Sequence, residues 1–153
     1  MDPTGASDLN GAVFFDFNND GFQDIFSSTG GNQGNLFFVN IQQTDFALNN
    51  RSVEFQIDQE FGRGLDATCL DVDNNGITDM VIHDLANNDG ASPPSIYTRQ
   101  EGDPFVNANL ERNWDVSSST CSTLADINNK SKADLLVLAD VLKLFIFESG
   151  IFE

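Results

Sequence analysis

An all-β chain built from repeats is what this sequence predicts, on three observations. An acidic nine-residue loop occurs three times, beginning at Asp16, Asp71 and Asp126, and the first positions lie 55 residues apart in both intervals (71 − 16 and 126 − 71). Short runs of β-branched, aromatic and aliphatic residues flank every loop and are too brief to be helices. Asn, Gly, Asp and Ser fill the gaps, with no amphipathic helical period between them. With 40% hydrophobic and 10% aromatic residues, the 153-residue chain has enough apolar surface to build a core.

After an N-terminal extension, residues 1–10, the first unit covers 11–66. Its first strand is Ala12-Val13-Phe14-Phe15 and its second Ile25-Phe26-Ser27-Ser28, so the loop between them closes a hairpin. Leu36-Phe37-Phe38-Val39 reads as a third strand. The alternation Val53-Glu54-Phe55-Gln56-Ile57 reads as a fourth. The second unit, 67–121, repeats this with 67–70, 80–83 and 95–98, and a weaker fourth strand falls between Leu110 and Val116. The third unit, 122–153, offers 122–125, 135–138 and 144–147 and no fourth strand. The expectation is therefore two four-stranded units and a truncated third.

Twenty-four acids against seven bases leave a formal net charge of −17, which repels phosphates and argues against a nucleic-acid or anionic-membrane partner. Cations are the natural counterpart. Cys69 and Cys121 read either as two small strand residues or as a disulfide between neighbouring units. No run approaches the roughly 20 apolar residues of a membrane span. Met1-Asp2-Pro3-Thr4-Gly5 does not open a signal peptide, so an exported protein would have lost its targeting segment.

The loops have the spacing of a calcium site. Asp or Asn at positions 1, 3 and 5 turns successive oxygens inward, Gly at position 6 allows the sharp turn, position 7 offers its carbonyl and position 9 closes the set. The first loop supplies Asp16, Asn18, Asp20, the Phe22 carbonyl and Asp24; the second supplies Asp71, Asp73, Asn75, the Ile77 carbonyl and Asp79. These hard oxygen donors suit Ca²⁺ rather than zinc or copper. An EF-hand would place Glu at position 12, where Ser27 and Ile82 stand instead. The third loop is degenerate: Lys130, Ser131 and Lys132 occupy positions 5 to 7, leaving Asp126, Asn128 and Asp134, with Lys130 a candidate internal substitute for a cation.

Phe61-Gly62, then Ala67, then the Asp-x-Asp-x-Asn-Gly-x-x-Asp loop from Asp71 and an apolar strand resemble the FG-GAP or VCBS repeat. Gly62-Arg63-Gly64-Leu65-Asp66-Ala67, with Ile96-Tyr97 after the loop, is also similar to the subgroup found beside the UnbV/ASPIC domain of secreted proteins. The resemblance implies propeller-type blades of four strands, with Ca²⁺ held between the first two strands of each by the residues named above. Propellers of this kind close with about seven blades, so this chain would form an incomplete propeller.

No catalytic constellation accompanies the loops. His83 stands alone within a predicted strand, the run Ser117-Ser118-Ser119-Thr120 lacks a Gly-x-Ser-x-Gly elbow, and no phosphate-binding glycine loop exists. The chain is expected not to be an enzyme. Trp114 and Tyr97 read as blade packing or as part of a glycan surface, and Asn50 and Asn129 begin glycosylation sequons. The leading expectation is an extracellular calcium-binding module for adhesion or for recognition of a protein or glycan, with structural metal. The alternative is a structural subunit of a ring or filament, its incomplete blades completed by neighbouring chains.

Overall fold

Apolar runs on either side of each acidic loop pair with one another, so every loop closes an antiparallel hairpin. The computed structural model describes residues 8–30, 33–40, 50–59, 62–85, 92–148 and 151–152. In the first unit β1 (Leu9–Phe15) pairs with β2 (Asp24–Thr29), and β2 with β3 (Leu36–Phe38). In the second, β4 (Gly64–Leu70), β5 (Asp79–Asp84), β6 (Ser95–Thr98) and β7 (Val106–Asn107) follow in order. The third sheet holds β8 (Ser119–Ala125), β9 (Asp134–Ala139) and β10 (Leu142–Phe145). A separate hairpin joins β11 (Phe147–Glu148) to β12 (Ile151–Phe152). All described sheets are antiparallel, none closes on itself, and no helix occurs among the described residues.

The 55-residue offset survives at the level of hydrogen-bonded pairs. Phe14 faces Ile25, Cys69 faces Met80 and Leu124 faces Leu135, and each first strand carries a bulge near its start. Because side chains alternate across a strand, each sheet has two faces, and the sheets stack through them. Phe26 and Phe37 of the first sheet meet Met80, Ile82 and Tyr97 of the second. Val81 and Ile96 from the opposite face meet Leu135, Val137 and Phe145 of the third. The first core is aromatic: Phe17 packs edge-on to Phe55 with ring centres 4.5 Å apart, and to Phe37 at 5.0 Å.

Three strand expectations differ from the structure. Residues 52–56 form turns rather than a strand, with the Phe55 N–H donating to the Arg51 carbonyl and the Ile57 N–H to the Ser52 carbonyl. The alternation was real in burial, because Phe55 and Ile57 enter the core, but the backbone satisfies itself locally. In the second unit the fourth strand is Val106–Asn107, not 110–116, where Arg112 and Trp114 N–H groups donate to the Ala108 and Asn109 carbonyls. The third strand of the last unit is Leu142–Phe145, two residues earlier than the apolar run 144–147. Trp114 is buried, stacked on Phe145 at 4.8 Å, with its indole N–H donating to the Pro94 carbonyl. Cys69 and Cys121 are both free thiols, so the disulfide alternative is not realised.

Candidate metal centre

Each acidic loop is wound on its own first carboxylate. In the second loop Asp71 Oδ1 accepts the Asn75 N–H at 3.1 Å and Oδ2 the Gly76 N–H at 2.9 Å. Asp16 accepts the N–H groups of Asp20 and Gly21 at 3.1 and 2.8 Å, and Asp126 those of Lys130 and Ser131 at 2.9 and 2.8 Å. Positions 4 and 6 are left-handed in all three: Asn19 and Gly21, Asn74 and Gly76, Asn129 and Ser131. The third loop thus keeps the same backbone even where its Gly has become Ser131, at φ 62°.

The ninth residue ties the loop to the sheet. Asp24, Asp79 and Asp134 are buried and accept N–H bonds from position 2 of their own loops: Phe17 at 2.7 Å, Val72 at 2.9 Å and Ile127 at 2.9 Å. The other oxygen of Asp79 accepts the Arg99 N–H at 3.0 Å, and that of Asp24 the Asn40 N–H at 2.7 Å. Arg99 and Asn40 each lie two residues beyond the strand residue that faces position 10 of the loop. Sequence reasoning missed both because that strand sits at a variable distance from the loop; only the strand register reveals their equivalence.

Among the described residues, one group of carboxylates is gathered closely enough to hold a metal ion. Asp71, Asp73 and Asp79 each place an oxygen within 4.8 Å of the others. Burial pushes the Asp79 carboxyl up to about 7; the N–H donors Val72 and Arg99 work against that, and the negative Asp73 and Asp71 reinforce it. A buried carboxyl beside two further carboxylates is a site that a divalent cation relieves, and all-oxygen donors match Ca²⁺ or Mg²⁺. The residues fit such an ion. The carboxylate oxygens that bond to N–H groups keep further lone pairs, and Asn75 is held by its amide N–H on the Arg99 carbonyl at 2.9 Å while its Oδ1 accepts the Ile77 N–H. Arg112, which the sequence did not flag, pairs with Asp73 at 3.5 Å across from that cluster.

Asp16, Asp20 and Asp24 share the loop frame but form no comparable group. Asp20 is engaged by the Asn18 amide at 2.9 Å and by the Phe22 N–H at 2.9 Å, and burial raises the Asp24 pKa. In the third loop the Asn128 amide donates to Asp134 at 3.3 Å. Between the first two loops lies a cavity of about 260 Å³ lined by Phe17, Asn19, Phe55, Ile77, Arg99 and Glu101. The Arg99 guanidinium sits 3.9 Å above the Phe17 ring and donates to the Phe17 carbonyl, so it clamps one loop to the next sheet.

His83 lies away from the loops, fully buried where the second and third sheets meet. Its Nδ1 bonds Ser119 Oγ at 2.8 Å and its Nε2 bonds Ser122 Oγ at 2.9 Å; Ser122 in turn bonds Thr68 at 2.7 Å. Desolvation lowers its pKa to about 4.

No protein-family model matches the chain, and no curated protein matches it. No helix among the described residues is long and apolar enough to cross a membrane.

Proposed function

We propose that the chain is a calcium-binding repeat module of the FG-GAP/VCBS type, its sheets serving as propeller-type blades and its metal structural. The observation that carries this reading is the convergence of Asp71, Asp73 and Asp79 in a loop whose backbone frame recurs three times. Bound there, a divalent cation supplies positive charge to a cluster that otherwise repels itself. The chain's own residues do the rest: Asp71 winds the loop, Asp79 anchors it to the third strand, and Asn75 holds its carbonyl-side turn. The role is non-catalytic, with adhesion or recognition of a protein or glycan outside the cytoplasm as its setting. The burial of His83 between two sheets, with both ring nitrogens on hydroxyl groups, supports a packing role for that residue.

Thermal unfolding with Ca²⁺, with Mg²⁺ and with chelator tests the reading. Ca²⁺ at about a hundred times its Kd stabilises the fold by about 2.7 kcal/mol, a rise of roughly 5–11 °C in melting temperature for a chain of this length. Superimposable melting curves in Ca²⁺ and in chelator would sink it.

A further inference from the structure

The 55-residue register allows equivalent side chains to be compared across the three sheets. Phe17, Phe26, Ser28 and Phe37 of the first unit face the second sheet, and Val72, Val81, His83 and Ile96 of the second face the third. All eight are buried. Their counterparts in the third unit, by spacing and strand pairing, are Ile127, Leu136, Leu138 and Leu144. Leu136 is half-buried, and Ile127, Leu138 and Leu144 are 54%, 48% and 43% exposed. The third sheet therefore carries the same stacking face as the other two, with nothing from the described chain upon it.

The opposite end of the array is uncovered in the complementary way. Gly64 and Ser119 receive Ser28 and His83 from the preceding sheet, and their counterpart is Leu9. Cys69 packs against the first core, and its counterpart is Phe14. Ile77 shares a cavity with Phe17 of the preceding loop, and its counterpart is Phe22. Leu9, Phe14 and Phe22 are 51%, 64% and 42% exposed.

We propose that these two faces bind each other between molecules: the first sheet of a second copy of this chain docks on the third sheet of the first copy, head to tail. The contact continues the internal sheet-to-sheet interface by one more step, placing Leu9 on Leu138 where Ser119 sits on His83, and Phe22 on Ile127 where Ile77 meets Phe17. Charge agrees with this polarity. The first loop has three carboxylates and no base, whereas the third has two carboxylates with Lys130 and Lys132, so unlike loops become neighbours at the junction. Repeat units bury their apolar faces only against neighbours, and a face-to-opposite-face contact propagates instead of stopping at a symmetric dimer. The inference is independent of the metal reading.

Sedimentation velocity on the full chain tests it, in Ca²⁺ and in chelator, using Phe14→Glu and Leu138→Glu, both at solvent-exposed positions, with circular dichroism to confirm folding. The wild type is expected to associate beyond a dimer as concentration rises into the tens of micromolar. Each variant alone should stay monomeric, and an equimolar mixture should form a species of doubled mass that grows no further, since one variant offers an intact tail and the other an intact head. A wild type that remains monomeric at hundreds of micromolar would overturn the proposal. So would association that survives both substitutions, or a mixture of folded variants that stays monomeric. Should either Glu variant fail to fold, Phe14→Ser and Leu138→Ser serve in the same scheme.

Discussion

At position 6 of each acidic loop the backbone is left-handed, and the three residues there show what the chain tolerates. Gly21 and Gly76 adopt φ of 86° and 84°, while Ser131 holds 62° with a side chain that disfavours it. A methyl group added at Gly76 meets nothing within 4 Å, so Gly76→Ala isolates the conformational cost from any clash. It should destabilise the protein by about 1–2 kcal/mol in urea unfolding under chelator; a loss near zero would show that the loop relaxes out of this conformation. Ser131 also permits a gain of function. Lys130→Asp with Ser131→Gly raises the third loop's carboxylates from two to three on an unchanged frame. The double variant should melt lower than wild type in chelator and recover in Ca²⁺, and identical melting in both would mark this loop as a plain turn.

Between elements, the junction of β5 and β8 is polar, and its pH response has a defined sign. His83 is held near 4 against an ordinary 6.5, so the unfolded chain takes up a proton before the folded one does. Its contribution is complete above pH 6.5 and is lost as pH falls toward 4. Asp84, the next residue of β5, is buried with neither oxygen in a hydrogen bond, the Arg63 amide and Gln59 approaching without reaching bonding geometry, and desolvation raises it to about 7. Its contribution has the opposite slope: complete below 3.8, lost as pH rises through 7. The two nearly cancel between pH 4 and 6.5. Asp79, also raised to about 7, adds a contribution of the same sign as Asp84, so the readout is the difference from wild type. Asp84→Asn should shift the stability change between pH 7 and pH 4 toward loss by on the order of 2 kcal/mol, and His83→Gln should shift it toward gain. If both variants keep the wild-type slope in denaturant titrations from pH 7 to 4, neither group is buried as described.

The same elements show what was legible beforehand. Hairpins around the loops were readable because a loop motif and flanking β-formers agree on one local structure, and 55-residue spacing fixes their register. The fourth strands were not. Val53 to Ile57 alternates like a strand, yet Asn50 and Ser52 offer the backbone local partners and Gln56 turns left-handed, so tertiary burial of Phe55 and Ile57 produced the alternation without extended chain. Of the candidate ligands, the second loop's acids are gathered, while in the first Asn18 at position 3 replaces a carboxylate and turns its amide onto Asp20. The clamp made by Arg99, contributed from the next sheet, lay beyond any local motif.

Taken as a whole molecule, three stacked sheets share two cores, and the loops all emerge from the same pair of strands in each sheet. On the proposed reading, a cation at the second loop would act beyond it, because Asp79 accepts the Arg99 N–H just after the third strand and Arg99 reaches the preceding loop. Calcium titration calorimetry on wild type, Asp71→Ala and Asp126→Ala, beginning from chelator-treated protein, tests this most directly. The expected result is Ca²⁺ binding that Asp71→Ala removes at the second loop and Asp126→Ala leaves in place. Equal binding in all three proteins, or no heat of binding in the wild type, would contradict it.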